Sequence, residues 1–340
     1  MDPITHGLTG TMAALAFSGH DDKNRAAATG FGAAMLADVE TFIQLPGDPL
    51  FNLEIHRQFT HSLIFIPIGA LVAAALFWVL FRMSFPFRKL YLFSIAGYCT
   101  HWFMDLITSY GTELLWPFLD TRFALNIVSV IDPVITLGLL VFTSIALFKT
   151  RTWFLPLAWT WLSLFLVLGW IQHSRATFAM QQLTSDRSHP VEKSVVKPTI
   201  GNQLLWRATY ISRDTIYTDA VRTGLFSGIR VYKGESAPLI IPEKDFVDFT
   251  GTVLYHDLLR FSRLSDQFLV RHPNQPNIIG DAAYSMLPTS LIPLWGVEAD
   301  TTKPNQHLSF LYFRDASDEV RTPFSAMLLG RDIGEKEGFF

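Results

Sequence analysis

The chain has 340 residues, of which 49% are hydrophobic and only 17% are charged. Its mean hydropathy is +0.27. Soluble domains carry about 25% charged residues, so this deficit indicates either a chain embedded in a bilayer or an unusually large core. The net charge of −3 does not favour nucleic acid as a partner. Asp2 stands where a signal peptide would carry positive charge, so we expect no cleavable signal peptide.

Apolar runs predict an α-helical membrane bundle of about six spans. A helix rises ~1.5 Å per residue, so about 20 apolar residues cross a hydrocarbon core of ~30 Å. Four runs approach or exceed that length, and two Gly- and Ala-rich segments precede them as full or re-entrant spans. In chain order the six are Gly7–Ser18, Ala26–Leu45, Leu63–Phe81, Leu90–Thr108, Pro133–Phe148 and Thr152–Gln172.

The composition changes after about Gln172, where Asp, Arg, Lys, Pro and Asn become frequent. Short β-like stretches separated by Gly, Pro, Asn and Asp predict strands, and Phe246–Leu264 is a candidate helix. We therefore predict a membrane domain over 1–175 and a soluble, strand-rich α+β domain over 185–340. The candidate strands are Leu204–Ile211, Leu225–Tyr232, Gln267–Val270 and Leu308–Phe313.

Basic residues concentrate in alternate turns, which predicts the orientation of the bundle. The turns at 19–25, 82–89 and 149–151 carry Lys or Arg, whereas 46–61 and 109–131 contain only one Arg each. Positive charge favours cytoplasmic loops. We therefore predict a multi-pass protein of the bacterial inner membrane with an extracytoplasmic C-terminal domain.

With that orientation, eight potential metal ligands gather at the non-cytoplasmic ends of the predicted helices. This one-sided distribution exceeds what incidental polarity would produce, and it predicts a divalent metal site at that membrane face. The eight residues are His6, Asp38, Glu40, His56, His61, His101, Asp105 and Asp132.

The strongest local pattern is His101-x-x-x-Asp105, because residues four apart share one face of a helix. An imidazole and a carboxylate there could bind one cation. The alternative is a hydrogen-bonded pair that packs helices, although ionisable groups within spans usually serve function. His56 and His61 bracket Arg57, whose guanidinium could bind a phosphate or carboxylate; an ordinary interfacial loop is the alternative.

The remaining candidates carry weaker patterns. His6 alone is more often incidental. Asp38 and Glu40 diverge by roughly 200° on an α-helix, so both serve one site only if the helix ends there. Pro46 and Gly47 favour such an ending. Asp132 precedes a proline and could equally cap a helix.

The order of these motifs along the chain, over roughly 1–135, resembles that of the YdjM-like, membrane-bound metal-dependent hydrolases. The ligand order is similar to that of zinc-dependent phospholipases C and single-strand zinc nucleases, which are helical enzymes that cut phosphoesters. The family usually reads Pro-Asp-x-Asp where this chain has Ala37-Asp38-Val39-Glu40. The resemblance implies a phospholipase C-like site with His6, Asp38, His61, His101 and Asp105 as ligands. The matching motifs are Thr5-His6, Asp38-x-Glu40, His56-Arg57-x-x-Thr60-His61-Ser62, His101-x-x-x-Asp105 and Leu115-Trp116-Pro117-Phe118.

We therefore predict a metal-dependent hydrolase with one to three zinc-like ions, acting on a phosphoester or lipid headgroup. Membrane lipid and a small or amphiphilic substrate are the predicted partners. Arg57 would neutralise substrate charge, and Asp38 or Glu40 would accept a proton from water. Two alternatives stay open, a proton or metal transporter component and a non-catalytic scaffold with a structural metal. The predicted metal ligands are His6, Asp38, His56, His61, His101, Asp105 and Asp132.

Overall fold

The computed structural model describes residues 1–148 and 154–333. The chain divides into two compact units. The first comprises Met1–Ile43, Glu54–Trp170 and Ile200–Asn202, and the second comprises Gln44–Leu53, Ile171–Thr199 and the chain from Gln203 onward. The basic turn at 149–151 lies outside the described residues.

The first unit is helical. Asp2 caps its first helix by accepting a hydrogen bond from the Thr5 N–H, and Pro3 suits the first helical turn. A 3-10 segment, Ala37–Phe42, continues directly from the second helix, and two short 3-10 segments lie at Phe59–His61 and Leu63–Phe65. The α-helices are α1 Pro3–Leu15, α2 Lys23–Leu36, α3 Phe51–Ile55 (in the second unit up to Leu53), α4 Ile66–Leu80, α5 Phe87–Leu106, α6 Pro133–Phe148 and α7 Phe154–Asp186.

The prediction of about six spans is wrong for the described residues. Two helical segments there are long and apolar enough to cross a membrane, Leu63–Leu80 and Phe154–Asp186. Only 22% and 17% of their most apolar stretches are buried, so both present apolar side chains outward. Helices α1 and α2 have 13 and 14 residues, and the apolar helix α6 has 16, so all three are short for a ~30 Å core.

Helix α5 has a sufficient length of 20 residues but a different composition. Arg88 and Lys89 lie in its first turn, and Asp105 lies near its end. These charges, with His101, lower its hydropathy below that of a span. The predicted orientation, with an extracytoplasmic C-terminal domain, assumed six alternating spans. Because six spans are not present among the described residues, the alternation of basic turns no longer supports it.

Glycines allow α1, α2 and α5 to pack at very short range. A Cβ atom added at Gly30 would lie 2.3 Å from the Gly10 carbonyl oxygen, and one added at Gly97 would lie 2.5 Å from the Gly30 carbonyl oxygen. Small residues permit such backbone approach in helical membrane proteins. His6, Ala34 and His101 each lie four residues from one of these glycines, so the packing brings three helical turns together at one place.

The second unit contains two four-stranded antiparallel sheets, which fits the predicted strand-rich soluble domain. In each sheet the strand order follows the chain. Trp206 and Tyr210 are fully buried on β2, and they pack with Ala176 and Met180 of α7. The strands are β1 Lys193–Pro198, β2 Leu205–Ser212, β3 Thr215–Thr223 and β4 Ile229–Pro238 in one sheet, and β5 Leu269–His272, β6 Gln275–Asp281, β7 Trp295–Glu298 and β8 Ser309–Tyr312 in the other.

Several predicted boundaries in this unit differ from the structure. The predicted strand from Leu225 starts four residues early, since β4 begins at Ile229 after a loop at 224–228. Strands β1, β3, β6 and β7 were not predicted. Helix α9 is Val253–Leu264, preceded by the short α8, Pro242–Asp245, and followed near the C-terminus by α10, Asp318–Leu329. Helix α7 continues well past Gln172, because apolar residues of its later turns pack against the sheet.

Candidate metal site

Four side chains of the first unit converge on one point. They are Asp38 on the 3-10 segment after α2, His61 on the segment before α4, and His101 and Asp105 one turn apart on α5. One ligand atom from each lies within 4.8 Å of all the others. His61, His101 and Asp105 are buried, whereas the Asp38 side chain is 30% exposed.

The distances between these atoms suit a small divalent cation. The two Nε2 atoms of His61 and His101 are 2.8 Å apart. Asp105 Oδ2 lies 3.2 and 3.4 Å from them, and Asp38 Oδ1 lies 3.6 Å from both. Zinc bonds His nitrogen and carboxylate oxygen at about 2.0–2.2 Å, which places neighbouring tetrahedral ligands about 3.4 Å apart. The residues therefore fit such an ion.

Hydrogen bonds orient both imidazoles toward that point. His101 Nδ1 lies 2.5 Å from the Ala34 carbonyl oxygen, to which it can donate, and this leaves Nε2 for a metal. His61 Nδ1 lies 3.2 Å from Glu40 Oε1. A carboxylate or carbonyl on the far nitrogen is the usual support for a metal-binding histidine.

Asp38 and Glu40 therefore lie on opposite sides of His61. The 3-10 segment has about three residues per turn, so residues two apart point in different directions. Asp38 points to the ligand group, while Glu40, which is 1% exposed, also accepts hydrogen bonds from the Arg57 backbone N–H and the Thr60 hydroxyl. Glu40 thus has the contacts of a positioning residue rather than those of the predicted base.

Three carboxylates surround the His61 imidazole and favour a positive charge there. Burial disfavours a charged His61, but hydrogen bonds with Asp105, Asp38 and Glu40 raise its pKa to about 10. Burial likewise opposes a charged Glu40, but hydrogen bonds from His56 and His61 lower its pKa to about 2. A divalent cation at His61 Nε2 would balance the charge of Asp38 and Asp105, while the Nδ1 N–H of the same ring would still donate to Glu40.

His6 and Arg57 border the ligand group. The His6 ring stacks on that of His101 with centroids 3.8 Å apart, and its Nε2 lies 3.3 Å from Asp105 Oδ1. Neither ring nitrogen of this fully buried His6 has a hydrogen-bond partner among the described residues. Burial, followed by the charge of His101, lowers the pKa of His6 to about 3. A neutral imidazole at this position could bind a further ion.

Arg57 adopts a positive φ of 64° and is 4% exposed. One of its terminal nitrogens lies 2.9 Å from Asp105 Oδ1 and the other donates to the Thr108 hydroxyl at 3.3 Å. Its Nε has no hydrogen-bond partner among the described residues. The guanidinium therefore neutralises a ligand carboxylate, while its Nε N–H stays unused by the described residues.

Two other predicted ligands have different surroundings. The His56 side chain is 30% exposed, and its Nδ1 lies 3.3 Å from Glu40 Oε1, at the rim of the site. Asp132 accepts hydrogen bonds from the N–H groups of Val134 and Ile135. It is therefore the N-cap of α6, which was the structural alternative for this residue, and it is not among the converging ligands.

Sequence reasoning did not assign roles to two residues that hold the site together. Tyr98 is buried on α5, and its hydroxyl donates to the Thr60 carbonyl oxygen at 2.8 Å, which fixes the segment that carries His61. The Thr60 hydroxyl reaches Glu40. One signal was available, because Tyr98 lies one helical turn before His101 and shares its face.

A second ligand-like group, also not predicted, lies in the second unit and consists of Asp48, Asp257 and His307. Arg260 joins the two carboxylates, at 2.9 Å from Asp48 Oδ2 and 2.8 Å from Asp257 Oδ1. His307 Nδ1 lies 2.8 Å from Asp257 Oδ2. The guanidinium supplies the positive charge that a metal would bring, so this group holds the loop at Asp48 against α9.

Replacing Glu40 tests its positioning role. We expect Glu40→Gln to weaken metal binding by about 10- to 100-fold, because an amide orients His61 poorly and contributes no charge. The measurement is a titration of purified, metal-stripped protein with Co²⁺. The control is Glu319→Gln on the exposed first turn of α10, which should leave the affinity unchanged. Equal affinities for the two variants would contradict the role assigned to Glu40.

Together these observations define a helical membrane protein with a buried histidine–carboxylate site that could hold a metal ion. Residues 1–176 match the family described as YdjM inner membrane protein, and the chain belongs to that family. The predicted family is thus confirmed. The predicted location in the inner membrane is confirmed with it. The hydrolase activity in the predicted family name stays a prediction.

A relative in Bacillus subtilis (strain 168) is described as uncharacterized protein YfhP. It is 26% identical over 98 residues, which is 29% of this chain and 29% of that protein. This match spans less than a third of the relative's length, so it carries no activity to the chain. No solved structure matches the chain.

Proposed function

We propose that the protein is a metal-dependent hydrolase of the inner membrane that acts on phosphoester or lipid-headgroup substrates. One observation carries the proposal. Two buried imidazoles and a buried carboxylate surround one point, and a second, partly exposed carboxylate also reaches that point. Catalytic zinc sites commonly have two histidines, one carboxylate and an open position. In this chain His61, His101 and Asp105 would supply the three fixed ligands, and Asp38 lies on the accessible side.

A divalent ion held by these residues would supply Lewis acidity to the scissile group and would make water more acidic. The chain's own residues then have separate tasks. Asp38, as the partly exposed carboxylate, accepts a proton from the attacking water. Arg57 directs its unpartnered Nε N–H and its positive charge toward an anionic substrate group. Glu40 keeps His61 in orientation.

We further propose that the site lies at the outer membrane face. Arg82, Arg88 and Lys89 follow the span Leu63–Leu80 directly, and such charge favours the cytoplasmic side. His61 precedes the same span and so belongs to the opposite side. A membrane-surface position suits a lipid headgroup as substrate.

A structural metal is the second candidate, because Asp38 completes a four-residue set and closed coordination marks structural sites. Under that alternative, Asp38 is a ligand and has no role as a base. The exposure of Asp38 favours the hydrolase, since a structural site has no need of solvent access.

The test is elemental mass spectrometry of the purified protein, followed by assays with phosphodiester and phospholipid substrates. We expect one or more zinc-like ions per chain and metal-dependent hydrolysis that is lost in a His101→Gln, Asp105→Asn variant. A stoichiometric metal with no hydrolysis of any phosphoester would favour the structural alternative. Protein without metal, even after resupply, would overturn both.

A further inference from the structure

The loop between β3 and β4 presents an exposed apolar tip. Its sequence, residues 224–228, is Gly-Leu-Phe-Ser-Gly. Leu225 is 50% exposed and Phe226 is fully exposed at 103%, and Ile229 and Val231 of the adjoining strand are exposed by 39% and 36%. Four exposed apolar side chains within seven residues of the chain are a candidate surface for binding another apolar phase or molecule.

Hydrogen bonds hold this tip against α7. Gln172 Nε2 donates to the Thr223 carbonyl oxygen at 2.7 Å. The Arg175 guanidinium donates to the carbonyl oxygens of Gly224 at 2.7 Å and Ser227 at 3.2 Å. The tip therefore lies beside residues 172–175 of the helix.

Those residues directly follow the apolar part of α7. Residues 154–171 contain no charged side chain. At ~1.5 Å per residue they extend about 27 Å, close to the thickness of a hydrocarbon core. Trp170 is 57% exposed, and tryptophan favours the membrane–water interface. The hairpin tip is thus held at the depth of the lipid headgroups. At that depth lipid is the binding partner that we expect for the exposed apolar side chains.

The charge around the tip is complementary to anionic lipid. Arg175 also donates to the side-chain oxygen of Gln172, and Arg222 donates to the Leu328 carbonyl oxygen at 2.9 Å and the Ser227 hydroxyl at 3.2 Å. These acceptors are uncharged, so they fix the two guanidinium groups without cancelling their positive charge. Basic side chains at this depth attract lipid phosphates.

We propose that the β3–β4 tip is a lipid-binding site, which inserts Leu225 and Phe226 into the bilayer surface while Arg175 and Arg222 bind anionic headgroups. The strand-rich unit thereby gains a second membrane attachment next to α7. This inference is independent of metal binding and of the proposed hydrolase activity.

The test uses the full chain in lipid nanodiscs. Cys99 is the single cysteine, so a Cys99→Ala background permits one nitroxide spin label at Phe226→Cys. The matched control is Ser236→Cys, an exposed position farther along β4, about 23 Å from Ile229 at 3.3 Å per residue. Power saturation compares access of oxygen, which enters lipid, with access of a water-soluble nickel chelate.

We expect oxygen access to exceed nickel access at position 226 and the reverse at position 236. A label at 226 with the aqueous profile of the control would overturn the proposal. Protection from both reagents would show that a protein, such as a second copy of the chain, covers the tip, and would also overturn it.

Lipid charge tests the role of the arginines. The label at position 226 should lie deeper in nanodiscs of mixed phosphatidylcholine and phosphatidylglycerol than in phosphatidylcholine alone. Arg222→Gln should remove that difference while leaving the profile at position 236 unchanged. Equal depth in both lipids before the substitution would refute binding of anionic headgroups.

Discussion

Replacement of His101 by glutamine is expected to weaken metal binding by more than about 100-fold, beyond the 10- to 100-fold cost of losing an outer-sphere partner. The imidazole Nε2 lies within 3.6 Å of a ligand atom from each of His61, Asp38 and Asp105. Its removal takes away one of three buried ligands. Competition between Zn²⁺ and a chromophoric chelator would measure the affinity of the purified protein.

Asp38→Asn and His56→Gln provide the comparison. If Asp38 serves as the base, its amide variant should retain most of the metal affinity and lose turnover. The rim residue His56, which is 30% exposed, should be replaceable with little effect on the metal. A loss of metal in Asp38→Asn as large as that in His101→Gln would identify Asp38 as an obligatory ligand and would favour the structural role.

Replacement of Gly30 by alanine is expected to destabilise the helical unit by about 1–3 kcal/mol. The new Cβ would lie 2.3 Å from the Gly10 carbonyl oxygen and 2.5 Å from the Ala14 Cβ, so α1 and α2 must separate. Because Ala34 lies one turn further along α2, its carbonyl would withdraw from His101 Nδ1. Metal affinity should therefore fall together with stability.

Thermal unfolding in detergent, with and without metal, measures this effect. The control is Gly19→Ala in the turn between α1 and α2, where an added Cβ meets nothing within 4 Å. Alanine there should be neutral or slightly stabilising, since it restricts the unfolded chain. Equal melting temperatures for the two variants would refute a close helix contact at Gly30.

The sequence by itself determined the relations that depend on local periodicity. Residues four apart on a helix share a face, so His101 and Asp105 could be paired without tertiary information. A long uncharged apolar run has the length and composition of a membrane-spanning helix, and on this basis the sequence predicted spans at Leu63–Phe81 and Thr152–Gln172, which overlap the two candidate spans of the structure. The loss of apolar runs after Gln172 likewise indicated the strand-rich unit.

Tertiary structure decided how separate segments meet. Asp38 and Glu40 have equivalent chemistry in the sequence, and only the 3-10 geometry after α2 places one at the ligand group and the other behind His61. From the sequence, Asp132 could equally be a metal ligand or a helix cap. In the structure its carboxylate accepts a hydrogen bond at the N-terminus of α6, so it is the cap.

The sequence did not determine the number of spans either, because hydropathy does not show where a helix begins and ends. Apolar segments such as 7–18 form helices too short to cross a bilayer alone, and they are buried instead through glycine contacts with their neighbours. Backbone approach of this kind depends on the pairing of distant residues, Gly10 with Gly30 and Gly30 with Gly97, and no local pattern encodes that pairing.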